Sequence, residues 1–302
     1  MNEAVLQPPA ARQGPGPMAQ PLIEALDLAI RRLVSRSLPG DRRAAGVGAG
    51  TELAQLRPYE VGDDVRQLDP AATARTGQAH VRLHVPERSL TTWIVLDVSP
   101  SMAFGTAQRL KADVAEGVAL VFGRLGVRRA GSVGLVAFGA AVPRVLPPRG
   151  AKPGLVALRR LLAEGVAPDG QHHADALADA LQRVSRMARQ PGLVVVISDF
   201  RDQHGWERAI GALRIRHSVL AAEIIDPREA EVPAVGHLAL IDPETGARIE
   251  VDTSRARVRE RFAELERQRR ETLSRELRRL RVDHLTLATD TDWLLTLGRH
   301  LR

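Results

Sequence analysis

A mixed α/β fold built on a mostly parallel sheet is predicted by three features of this 302-residue chain. Four apolar, largely β-branched runs, at 93–96, 131–138, 193–197 and 217–225, read as strands, because continuous apolar runs suit strands covered on both faces. Helical stretches at 108–125, 154–162, 174–188 and 205–214 alternate with them, the order expected when each parallel strand returns through a helix. No linker divides the chain from Thr91 onward. Helices on both faces of one sheet are therefore expected.

The elements around that core follow in order. Residues 1–20, rich in Pro, Gly, Gln and Ala, read as a disordered head. Residues 21–90 form an N-terminal elaboration: a helix near 21–35, a Gly/Arg-rich loop to about 50, then a less regular stretch ending in an alternating strand at 80–85. The main domain is placed at 91–302. Its later part begins with a hairpin at 238–251, turning around Pro243 and Gly246. A long charged helix at 255–281, a strand at 282–288 and a final helix complete it. Val258, Phe262, Leu265, Leu273, Leu277 and Leu280 fall at helical spacing and are expected to face inward.

Composition narrows the function. The chain has no cysteine, which excludes disulfides, thiolate metal sites and cysteine catalysis and fits a reducing cytoplasm. The first residues lack a basic start followed by an apolar core, and no apolar run approaches the roughly 20 residues of a membrane span. The formal net charge is +7, which raises nucleic-acid binding as an alternative. Of the 43 basic residues, however, only Lys111 and Lys152 are lysines, a bias of codon-composition type. Aromatic content of 3% leaves few stacking platforms for bases, and the basic stretch 255–281 is laced with acidic residues.

The strand at 93–96 ends in Asp97-Val98-Ser99-Pro100-Ser101, and the strand at 193–197 ends in Ser198-Asp199. In a parallel sheet, ligands gather at the strands' carboxyl ends where the strand order reverses, so Asp97 and Asp199 are expected to converge. Two hydroxyls and few carboxylates suit Mg²⁺ or Mn²⁺ while leaving the ion short of negative charge. A turn capped by Asp97 and a helix capped by Asp199 are the structural alternatives. His172 and His173 lie nearby in sequence as nitrogen donors suited to transition metals.

The Asp-x-Ser-x-Ser pattern resembles the metal-ion-dependent adhesion site of von Willebrand factor A-type domains. That resemblance implies a Rossmann-like fold and a further ligand from a separate loop, where alignment puts Asp175 in place of the usual threonine. Asp175 is equally placed to begin a helix. The implied metal set is Asp97, Ser99, Ser101, Asp175 and Asp199.

A longer motif lies at 57–75, Arg-Pro-Tyr-Glu-Val-Gly-Asp-Asp-Val-Arg-Gln-Leu-Asp-Pro-Ala-Ala-Thr-Ala-Arg. With 86–88, Lys111, 198–200, Arg216-His217, 226–229 and 242–246, it resembles a bacterial family of uncharacterised von Willebrand A-like proteins associated with MoxR-type AAA+ ATPases. Pro70 stands where that family has tryptophan. The resemblance implies a non-catalytic interaction module, an adaptor or chaperone-like partner of such an ATPase and of a client protein. Arg57, Tyr59, Asp63, Asp64, Arg66, Asp69 and Arg75 then form either a partner-binding surface or a structural brace. A metal-dependent hydrolase is the remaining alternative. No Gly-x-Ser-x-Gly elbow and no phosphate-cradling Gly-x-x-x-x-Gly-Lys loop is present to support it.

Overall fold

The computed structural model describes residues 52–85, 90–105, 109–127, 131–167, 175–201, 205–243 and 245–300. The expected head, the helix near 21–35 and both His172 and His173 lie outside them. Two compact units divide between Ser89 and Leu90.

In the smaller unit, strand β1 (Glu52–Pro58) pairs antiparallel with β2 (His80–Val85), joined by a short helix, α1 (Pro70–Thr76). β2 is the strand its alternation predicts, whereas β1 and α1 lie in a stretch expected to be irregular. Asp69 explains the helix: its Oδ1 accepts from the Ala71 and Ala72 amides at 2.9 and 3.0 Å. Pro70 occupies the first helical position, where its fixed φ and missing N–H cost nothing. Gly77, at φ +73°, ends the turn.

The larger unit holds a six-stranded sheet in the order β10-β7-β6-β3-β4-β5. These are β3 (Thr91–Asp97), β4 (Ser132–Phe138), β5 (Arg144–Gly150), β6 (Gly192–Ser198), β7 (Ser218–Ile225) and β10 (Asp283–Ala288). Every neighbouring pair is parallel except β4 and β5. β5 is an addition to the sequence reading. Its Pro147-Pro148 pair lacks amide donors and lies at a register shift between Val133 and Leu135, as suits an edge strand.

Among the described residues six α-helices complete the unit: α2 (Lys111–Gly126), α3 (Ala151–Leu162), α4 (Ala176–Met187), α5 (Trp206–Leu213), α6 (Ala256–Arg279) and α7 (Trp293–His300). On one face Trp93, Val95, Val194, Val196, Val219 and Ala221 pack with Leu177, Leu181, Ile210, Leu273 and Leu277 of α4, α5 and α6. The residues between them, Ile94, Leu96, Val195, Ile197 and Leu220, are equally buried. They point the other way by strand alternation, where α2 packs against β3, β6 and β7. The hairpin is β8 (His237–Ile241) with β9 (Arg248–Asp252).

One inward position on α6 differs from expectation. Leu265 is 49% exposed, and Glu266 is buried in its place. Glu266 lies on the stripe that continues to Leu273 and Leu277, and arginines satisfy its charge: Arg269 at 3.0 Å, Arg270 at 2.8 Å and Arg201 at 3.1 Å. Arg267 and Arg279 pair with Glu264 and Glu276 on the same helix. No helix among the described residues is long and apolar enough to cross a membrane.

Candidate functional site

The strand order makes the site. From β3 the chain runs outward through β4 to β5, then crosses back to β6 on the other side of β3. The carboxyl ends of β3 and β6 therefore flank the switch point, where loops diverge and leave room between them. Pairing of Leu96 with Ile197 sets Asp97 beside Ser198.

Asp97 is 2% exposed and is hydrogen-bonded by two serines. The Ser99 amide donates to Oδ1 at 2.9 Å and the Ser198 hydroxyl to Oδ2 at 2.5 Å. Ser198 Oγ in turn accepts from the Phe200 amide at 2.9 Å. The Ser99 and Ser101 hydroxyls are 3.1 Å apart, both buried. Asp199, 1% exposed, accepts from the Arg201 amide at Oδ1 (3.0 Å) and from the Lys111 ammonium at Oδ2 (2.7 Å). The same ammonium reaches Glu229 Oε1 at 2.5 Å and is itself fully buried. Phe200, which follows, takes φ +53° and meets Trp206 edge-on at 5.8 Å.

Two backbone hydrogen bonds and one close glycine approach hold the Asp97 turn in place. The Val98 amide donates to Phe138 O at 2.8 Å, and Val98 O accepts from the Ala167 amide at 2.6 Å. Gly139, at φ +89°, lies so close to Ser99 that an added Cβ would stand 2.6 Å from its amide nitrogen.

The Lys111 ammonium splits the two carboxyls. For Asp97, burial and then the charge of Asp199 raise the pKa from 3.8 to about 7. For Asp199, burial acts upward, but the charge and hydrogen bond of Lys111, together with the Arg201 amide and charge, outweigh it and the pKa is lowered. Lys111 is likewise held above its ordinary value, because Asp199 and Glu229 outweigh its burial. The Asp97 shift has a sign that can be tested. Folded protein retains a proton that the unfolded chain loses near pH 3.8, so stability from this group is highest below about pH 4 and falls as pH rises through about 7. Asp97→Asn cannot ionise. Its melting temperature relative to wild type is therefore expected to rise between pH 5 and pH 8 in thermal denaturation; parallel pH profiles for the two proteins would refute the assignment.

Of the residues expected to hold a cation, the structure brings Asp97, Ser99, Ser101 and Asp199 to one edge. Asp175 is exposed at the start of α4 and makes no side-chain cap. The hydroxyl pair fits part of a Mg²⁺ shell, since neighbouring vertices of an octahedron with ligands at about 2.0–2.1 Å are about 3 Å apart. The remaining donors do not fit: Asp199 already carries an ammonium, and no group of three or more His, Asp or Glu side chains among the described residues is arranged for a metal. Lys111, Glu229 and Ser198 complete the site. All three stand in sequence segments already singled out, but a buried lysine reads from sequence as a surface charge.

The motif at 57–75 lies in the smaller unit. Arg57 pairs with Asp63 at 2.7 Å, and Asp63 Oδ2 also accepts from the Glu60 amide. Asp64 caps a 3₁₀ turn through the Arg66 amide at 3.0 Å. Asp69 joins Arg82 at 2.9 Å, and this bond first, then the amides it caps, lowers its pKa from 3.8 to about 2. The Tyr59 amide donates to Ala79 O, while Arg66 and Arg75 are exposed.

An uncharacterized protein of Mycobacterium tuberculosis, Rv1480, is 36% identical over 301 residues, covering 98% of this chain and 93% of that protein. Among solved structures, the conserved hypothetical protein BatB from Bacteroides thetaiotaomicron aligns over 70% of this chain and 97% of its own, at 15% identity and a TM-score of 0.43. The SpRpn10 VWA domain aligns over 45% of this chain and 75% of its own, at 15% identity and a TM-score of 0.32. A family model, described as protein of unknown function DUF58, matches residues 55–272, and the chain belongs to that family.

Proposed function

We propose that this protein is a non-catalytic interaction module that docks a MoxR-type AAA+ ATPase through the loops at the carboxyl ends of β3, β4 and β6, to serve a client protein. The observation that carries this reading is the closure of the polar cluster: Asp97, Ser198, Asp199 and Lys111 are each at most 2% exposed and bonded to one another or to neighbours. A Ser–Asp pair of this kind has the atoms of a hydrolytic dyad, but a substrate would have to reach a fully buried Ser198 hydroxyl. The same edge presents apolar surface instead. Val142, in the turn after β4, is 75% exposed.

The choice of partner rests on the sequence resemblance. A contact bridged by Mg²⁺ would weaken with chelator. The pairing of Asp199 with Lys111 supports a contact made by surface groups, indifferent to chelator.

The test is calorimetry or pull-down with a MoxR-type ATPase purified from the same source, with and without chelator. Val142→Asp is expected to weaken binding at least tenfold. Ile215→Asp, at an equally exposed position before β7 on the opposite edge, is expected to leave it unchanged. Absence of binding in either condition, together with tight salt-sensitive binding to DNA or RNA, would overturn the reading.

A further inference from the structure

We infer that the Lys111 ammonium takes the place of the divalent ion, so that the strand-end site is assembled without metal. A divalent ion at a parallel-sheet switch point does two things: it neutralises carboxylates converging from different loops, and it ties those loops together. Lys111 does both. From the first turn of α2, its Nζ bonds Asp199 at the end of β6 and Glu229 in the turn after β7. Glu229 also occupies the role that an acidic group from a partner would fill on a metal, so the shell is closed from within the chain.

Residue choice supports the assignment. The chain uses arginine for nearly all its basic positions, and Lys152, the only other lysine, is exposed. A lysine at a fully buried position in such a chain marks a space that takes a compact point charge with rotatable donors and excludes a planar guanidinium. The arginines stay at the rim: Arg201 lies 3.4 Å from Glu229 and 3.1 Å from Glu266, with a side chain 25% exposed. A divalent ion bound beside Asp199 would face this ammonium across the same carboxylate, and that repulsion opposes its entry.

The test uses the protein alone, so its failure is distinct from failure of the interaction reading. Mn²⁺ is titrated into the full chain by calorimetry, with melting temperature followed in parallel. Wild type is expected to show no saturable site up to millimolar Mn²⁺ and no change in melting temperature. Lys111→Ala leaves Asp199 and Glu229 without the ammonium between them. It is expected to gain one saturable Mn²⁺ site and a Mn²⁺-dependent rise in melting temperature, both lost when Asp199→Asn is added. Saturable Mn²⁺ binding to wild type that Asp199→Asn removes would overturn the inference, and this arm holds whether or not Lys111→Ala folds.

Discussion

Lys111→Met is expected to lower the stability of the larger unit by about 3–5 kcal/mol, the usual cost of removing one partner from a buried ion pair, or roughly 6–20 °C in Tm. Methionine fills much of the same space, so the loss is electrostatic: Asp199 and Glu229 are left facing each other with little water between them. Asp199→Asn should cost less, because Lys111 keeps Glu229. Adding Asp199→Asn to Lys111→Met should recover part of the loss, since the repulsion between Asp199 and Glu229 is removed and Glu229 keeps Arg201 at 3.4 Å. Acid supplies a further check. The Asp199 pKa is lowered in the folded protein, so its stabilising pair with Lys111 is present above the ordinary 3.8 and fades as pH falls below about 4. The gap between wild type and Lys111→Met should narrow over that range in denaturant titrations, and a variant within about 1 kcal/mol of wild type at pH 7 would contradict the pairing.

Gly139→Ala is the second substitution expected to have a large effect, and backbone geometry is its cause. A residue with a side chain at φ +89° carries about 1–3 kcal/mol of strain. The new Cβ would also stand 2.6 Å from Ser99 N and 2.8 Å from Ser99 Cα, and backbone atoms cannot swing aside as a flexible side chain does. The turn carrying Asp97, Ser99 and Ser101 must therefore move, which breaks the 2.8 Å bond from the Val98 amide to Phe138 O. Gly236→Ala provides the control in the same unit: φ is +84°, with nothing within 4 Å of the added atom. Equal losses of stability in the two variants would show that the close approach to Ser99 is unimportant.

The buried strands β3, β4, β6 and β7 were legible because runs such as 193–197 have no polar face to confuse the pattern. The hairpin and β10 were legible from turn residues and a late apolar stretch. β5 was not, because Arg-Val-Leu-Pro-Pro-Arg-Gly carries prolines that argue against a strand unless an edge position is known. At the site, Asp97 and Asp199 could be placed together because both end strands at the switch point. Lys111 and Glu229 meet across 118 residues of sequence, and only the tertiary fold brings such a pair within bonding distance. Glu266 was hidden for a related reason: a glutamate on an inward stripe makes sense only when its arginines are seen around it.

The prolines of β5 also bear on how the sheet behaves toward other chains. An outermost strand exposes unpaired amides and carbonyls that invite a foreign strand to add, the first step of edge-to-edge aggregation. By strand alternation one of Pro147 and Pro148 falls on that outward row and removes an amide from it, and the pair coincides with a break in register, so an incoming strand finds no continuous ladder there. Recruitment by strand addition is thereby disfavoured along this margin.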